Sequence, residues 1–401
     1  MSLTREQKTL ALVLFFAFLL RVALLPFPFS QVGQMVGNQD EGSSLQYMTH
    51  VALEKTLFTL DNAKGGDYIM AFHPPLYYVV GASLLLWTTA LALPQQLLVL
   101  KLFSILLGVA GIAFSYHALK QVFSHSFAIL TALFLAVWPT HVYFSTTANN
   151  YALVYFLYPL LVYLLLRNWQ KAFTTAKVMA IAVLSILLAL THLTTLTSIP
   201  LAVSLFAYKN KVQSNAWGRG IKQGLLFLSV VAVPSLALML FFKQSTGNLL
   251  PTAVFLELVP KTPAAIGAYL RSLFVYFFNQ FDPKLSAPPA LYAALFLLAL
   301  ASLLGFALFL ARFRAHSQIQ RAFLLGGLTV FAVMVFWQLT YEVPVGFAQY
   351  GRRWLDFIPF APAFFLLGLK QFAERFKRSP HYLYGPAYLI LLAFLAHYYF
   401  F

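Results

Sequence analysis

The chain has 401 residues, of which 61% are hydrophobic, 17% aromatic and 9% charged, whereas a soluble chain carries about 25% charged residues. That excludes one large soluble core and leaves repeated bilayer-spanning helices. The net charge of +16 is not a nucleic-acid footprint, because Lys and Arg fall in short clusters between apolar runs, as the positive-inside rule requires. The absence of cysteine excludes disulfides, thiolate catalysis and zinc–thiolate sites.

The first apolar run, 9–29, is too long for a simple signal peptide and is followed by no small-residue cleavage site, so it reads as an uncleaved span. Arg21 lies inside it and is expected to pair with an acid or a phosphate, or to snorkel outward. A polar loop follows, in which Asp40, Glu41, Glu54, Asp61 and Asp67 fall within 28 residues of a chain that holds only 11 acids. Helix capping and solvation account for Glu54, Asp61 and Asp67, and "DEGSS" can itself cap a helix starting near Leu45. Asp40 and Glu41 come about eleven residues after the first span, where ionised groups near lipid are costly and are kept for function. "FHPPLYY" at 72–78 then puts two prolines at the first turn of a helix, where a missing N–H costs nothing, and holds His73 just ahead of it.

Further spans are expected at 98–119, 126–143, 150–166, 178–190, 193–208, 222–242, 289–311, 322–341, 354–369 and 382–400. The run 74–92 is read as a membrane-hugging or re-entrant helix, because 17 of the 27 basic residues then share the cytoplasmic side. The result is eleven spans, N-terminus inside and C-terminus outside, in one transmembrane domain over 1–401 with outer loops 30–97 and 243–288 and no soluble domain. The segment 262–280 is expected to be a second helix on the outer surface. Nine of the eleven acids then lie outside, which makes the outer face the place for chemistry. The runs 178–190 and 193–208 are short and meet at "THLTT", which predicts a loop delivered into the membrane beside a cavity near His192.

In this order the motifs resemble the GT-C glycosyltransferases, in particular the branch of protein O-mannosyltransferases and lipid A aminoarabinose transferases. The features that carry the resemblance are "QDEGSSLQY" (39–47), "HPPLYY" (73–78), "WPTHVYFSTTANNYAL" (138–153), "ALTHLTTL" (189–196) and "QYGRRWLDFIPFAPAF" (349–364). The resemblance implies an all-α polytopic GT-C fold and transfer of a sugar from a polyprenyl-phosphate donor on the outer face, with Asp40 as base and Glu41 as the next candidate. Displacement at an anomeric carbon needs a carboxylate for the acceptor's proton and positive or donor groups for the departing phosphate. Arg352, Arg353 and His192, with Arg271, Lys243 or Lys284, are the candidates for the phosphate; guanidinium matches it best. His73, Tyr77, Asn149 and Asn150 are candidates for the acceptor or the sugar, with His141, Tyr143 and Tyr151 flanking them, and Asp356 is a structural partner for an arginine.

Many relatives have an acid in the second outer loop, where this chain reads Asn149-Asn150. Amides do not hold Mg²⁺ strongly, so no cofactor or metal is expected. With no soluble outer domain, the acceptor is expected to be a lipid or lipid-linked glycan rather than a folded protein, the partners being the bilayer and the donor lipid and not nucleic acid. The absence of cysteine and of Asn-x-Ser/Thr sequons points to a prokaryotic plasma membrane. The competing readings are a lipid-linked-substrate transporter or flippase, a glycan ligase or polymerase, and a non-catalytic subunit. A carrier would place its polar residues near the midplane between related halves rather than on one face.

Overall fold

A computed structural model describes residues 4–25, 38–57, 73–214, 217–246, 288–337 and 357–400. Every regular element among these residues is helical: α1 (Arg5–Leu24), α2 (Asn38–Glu54), α3 (Leu76–Trp87), α4 (Leu93–Lys120), α5 (His125–Val137), α6 (Pro139–Thr146), α7 (Tyr151–Trp169) and α8 (Thr175–Ala189). A 3₁₀ turn, Leu193–Thr197, leads into α9 (Ser198–Ser214), α10 (Trp217–Thr246), α11 (Pro289–Ala311), α12 (Gln318–Trp337), α13 (Phe360–Arg375) and α14 (His381–Phe400).

The expected apolar runs fall on these helices. Six of them, α1, α4, α7, α10, α11 and α12, are long and apolar enough to cross a membrane. The run 126–143 is a bent pair, α5 and α6, that turns by 60° and makes a seventh if counted as one span. The bend sits at Trp138–Pro139, where proline has no N–H to continue the α5 ladder and biases Trp138 to the extended backbone it adopts. The helices α8 and α13, at 15 and 16 residues, rise about 22–24 Å and fall short of a hydrocarbon core of about 30 Å. Eleven full-length crossings therefore exceed what helix length alone supports among the described residues.

The centre of the bundle is α7, which has 72% of its apolar window buried and packs against α4, α6, α8 and α9. One face of α4 carries small residues, Ser104, Gly108, Gly111 and Ser115, all buried, and it meets α7 at Gly111 and α6 at Gly108. A Cβ on Gly111 would lie 1.9 Å from the Tyr155 carbonyl oxygen, and one on Gly108 would lie 2.4 Å from the Ser145 Cβ. The missing side chains let the backbones touch, which is how helices gain dispersion energy where lipid offers no hydrophobic drive. The α11–α13 crossing repeats the device, with Gly305 against the Gly368 carbonyl and Ser302 Oγ donating to the Phe365 carbonyl at 2.9 Å.

Arg21 does not snorkel. It is fully buried; its Nε donates to Ser145 Oγ at 2.7 Å and its Nη1 to the carbonyls of Ala17 (2.9 Å) and Ala136 (3.1 Å). Ala136 lies in the last turn of α5, where the bend removes the next backbone donor. The guanidinium supplies a donor for the Ala136 carbonyl and, through Ser145, holds α6 as well, which helps keep the helix break inside protein.

Candidate functional site

Four segments far apart in sequence meet at one end of the bundle: the first turn of α2, the His73-Pro74-Pro75 lead into α3, the 147–150 turn between α6 and α7, and the 190–192 turn after α8. The Asp40–Glu41 pair belongs to α2, which begins at Asn38 rather than near Leu45, so the two acids lie in the helix's first turn and not in a preceding loop. The start is favoured because carboxylates complement the positive end of the helix dipole. The Asp40 side chain lies outside the described set. Glu41 is buried; its Oε1 accepts the Ala148 N–H at 2.9 Å, and its Oε2 lies 3.1 Å from Lys101 Nζ on α4.

Downstream of Ala148 the turn is fastened by its own amides. Asn149 Oδ1 accepts the Tyr151 N–H at 3.0 Å while its Nδ2 donates to Thr147 Oγ1, so this residue organises the start of α7. Asn150 Nδ2 donates to the Thr191 carbonyl and meets His73 Nδ1, both at 3.2 Å. A carbonyl can only accept, which fixes the amide nitrogen, and its second N–H needs a lone pair at His73 Nδ1. The His73 proton therefore sits on Nε2. The backbone of α3 is tied to the same place, since the Leu76 N–H donates to the Leu190 carbonyl at 2.9 Å.

His192 caps the 3₁₀ turn: its Nδ1 accepts the Thr194 N–H at 3.3 Å and lies 2.8 Å from Thr194 Oγ1. It too carries its proton on Nε2 and is a neutral donor in this arrangement. Protonating it would cost the cap. Its ring packs 6.2 Å from that of His73, edge to face, and 4.9 Å from Tyr151. The expected loop at "THLTT" is thus present, as a turn and a 3₁₀ segment joining α8 to α9.

Of the aromatic pair after His-Pro-Pro, Tyr78 is the one that joins this cluster, 6.3 Å from His73 and stacked at 4.2 Å on Tyr47 of α2. Tyr77 is buried with its hydroxyl 3.2 Å from Ser104 Oγ on α4. His141 stacks on Tyr155 at 4.4 Å, and its Nδ1 accepts from Arg21 Nη2 at 2.7 Å, which puts it beneath the 147–150 turn in the Arg21 network. Lys243 is exposed in the last turn of α10, which packs on α8 and α9. Arg271, Lys284, Arg352, Arg353, Asp356 and the 262–280 segment lie outside the described residues. Among the described residues, no three His, Asp or Glu side chains come together as a metal site.

Sequence reasoning passed over Lys101. The signal was there: it is a charged residue inside the apolar run Leu97–Leu107, and an ionisable group in such a run marks a functional region by default. It lies on the α4 face that also carries Ser104, Gly108 and Gly111.

No protein-family profile matches the chain, and neither does any curated protein. Among solved structures, the crystal structure of the Archaeoglobus fulgidus oligosaccharyltransferase in complex with zinc and sulfate is similar to it, with a TM-score of 0.54 over 96% of this chain and 15% sequence identity. The likeness is one of fold. The match covers 52% of the archaeal protein, so the chain spans about half its length. The cluster around Glu41, Asn150, His73 and His192 is built from segments between the early helices.

Proposed function

We propose that this GT-C protein is a glycosyltransferase that moves a sugar from a polyprenyl-phosphate donor to a lipid or glycan acceptor at the outer face of a prokaryotic plasma membrane. The observation that carries the reading is the meeting of the acid-bearing turn of α2, the His-Pro-Pro segment, the Asn149-Asn150 turn and the His192 turn at one end of a GT-C fold.

In the proposed reaction the acceptor oxygen attacks the anomeric carbon, the carbon–oxygen bond to phosphate breaks, and polyprenyl phosphate leaves with the electron pair. The acceptor's proton passes to the Asp40 carboxylate, and the anomeric configuration inverts. His73 and His192, with their protons on Nε2, are donors suited to sugar or phosphate oxygens. Charge for the departing phosphate is assigned to Arg352 and Arg353, which match its geometry. No metal enters the reading, because neutral amides are poor ligands for a hard cation and Asn149 Oδ1 already accepts the Tyr151 N–H.

The test is transfer from labelled polyprenyl-phosphate sugars by the purified full chain, comparing wild type with Asp40→Asn. Asparagine keeps the shape and removes the base, so turnover is expected to fall by about 10²–10⁴-fold with donor binding retained. Undiminished turnover in Asp40→Asn refutes the role of Asp40. Donor binding without transfer by the wild type, across donors and acceptors, supports a carrier instead.

A further inference from the structure

We propose that Lys101 is a positioning residue for sugar transfer and that Glu41 is its partner rather than a second proton carrier. The two form a clamp that docks the Asp40-bearing turn of α2 onto α4 and onto the 147–150 turn. The proposal rests on the glycosyl-transfer reading above for its kinetic part and on geometry alone for the rest.

Both carboxylate oxygens of Glu41 are engaged, one by Lys101 Nζ at 3.1 Å and one by the Ala148 N–H at 2.9 Å, with the side chains only 15% and 10% exposed for Lys101 and Glu41. An ammonium meets one oxygen and an amide N–H the other, so Glu41 is engaged by protein donors on both sides and serves as an anchor. Asp40 is one residue earlier on the same helical turn. One acid of the pair thus anchors the turn that carries the proposed base.

The anchor itself is rigid. From Lys101, the same face of α4 runs through Ser104, which meets the Tyr77 hydroxyl, to Gly108 under Ser145 and Gly111 under the Tyr155 carbonyl. Backbones that close cannot slide by a fraction of a turn without collision. By contrast, α2 packs mainly on α3, through Tyr47 on Tyr78 and Met48 against Gly81. Glu41 ties α2 to Lys101 of α4 and to Ala148 in the turn that leads into α7. The same carboxylate fixes Ala148, two residues ahead of the Asn150 amide that holds His73 and Thr191. A shift at Lys101 therefore moves both the base and the proposed sugar-contacting histidine.

The experiment is a double-mutant cycle on the purified full chain: wild type, Glu41→Gln, Lys101→Met and the double variant. It is read by thermal midpoint and by kcat and KM for a labelled polyprenyl-phosphate sugar. Each single change breaks the largely buried Glu41–Lys101 ion pair while leaving the other charge in place, so each is expected to lower the midpoint by about 5 °C and kcat by about 100-fold, with donor KM within about threefold. Glutamine still accepts from Ala148, and the double variant removes both charges together. It should therefore recover at least half of the midpoint loss and about tenfold in kcat over the worse single variant. Additive midpoints overturn the clamp. Recovered stability with kcat as low as in Glu41→Gln overturns the positioning role and makes Glu41 a proton carrier. If the wild type transfers no sugar, the enzymatic reading fails, and the midpoint cycle still decides the clamp.

Discussion

Replacing Asn150 by aspartate tests the organisation of the site most sharply, because it restores an acid to the loop where relatives of the resembled family have one while changing only an NH₂ into an oxygen. The amide nitrogen donates to the Thr191 carbonyl and to His73 Nδ1, each at 3.2 Å, in a residue 2% exposed. In Asn150→Ala both acceptors lose their partner, at about 1–3 kcal/mol each, or about 2–6 kcal/mol together. In Asn150→Asp a carboxylate oxygen faces the lone pair of the Thr191 carbonyl and can regain His73 only by drawing its proton from Nε2 to Nδ1, while adding the several kcal/mol of a buried charge. The size scaling of unfolding entropy suggests about 1–2 °C per kcal/mol for a chain this long, which places the alanine variant about 2–12 °C below wild type and the aspartate variant lower still. Transfer should fall with it by about 100-fold, since His73 loses its fixed tautomer and place. The assay is thermal unfolding in detergent beside sugar transfer, at several pH values. The aspartate deficit should narrow as pH falls towards about 4, where the carboxyl regains a proton and one O–H donor. An aspartate variant as stable and as active as wild type at neutral pH would refute the claim that this amide holds the α7 turn, His73 and Thr191 together.

Arg21→Lys keeps the charge but not the fork, and it loses Nε to Ser145 and at least one of the bonds to Ala17, Ala136 and His141. It is expected to lower the thermal midpoint by several degrees, and a variant indistinguishable from wild type removes Arg21 as the fastener of the α5–α6 bend. Gly111→Ala puts a Cβ 1.9 Å from a backbone oxygen of α7, so it should cost at least about 1–3 kcal/mol by forcing the helices apart. Gly385→Ala, with nothing within 4 Å of the new atom, is expected to be neutral or slightly stabilising. Equal midpoints for these two glycine variants would contradict close packing as the basis of the α4–α7 contact.

Much of the polar cluster was legible in the sequence because its residues stand out against hydrocarbon. His73 ahead of two prolines, the Asn149-Asn150 turn and His192 between two short apolar runs were all visible as interruptions, and the structure brings all of them together. Their roles were not legible. Tyr77 and Tyr78 look equivalent in sequence, yet one bonds to α4 and the other stacks into the cluster. Arg21 invited an acid or an escape to the interface and instead serves a carbonyl left open by a bend more than a hundred residues away.

Hydropathy and charge order are local properties, and they were enough to determine a polytopic helical protein, the position of nearly every helix and the segments that hold polar residues. Partnership is not local. The Glu41–Lys101 pair and the Glu41–Ala148 bond join residues 60 and 107 positions apart, and nothing in the composition of either segment specifies its mate. Only the packing of α4 against α7, set by glycines that admit a neighbouring backbone, decides which ionised groups come within hydrogen-bonding reach. Tertiary structure therefore settled that one acid of the Asp-Glu pair is bound on both oxygens, a distinction two adjacent carboxylates in a sequence cannot express.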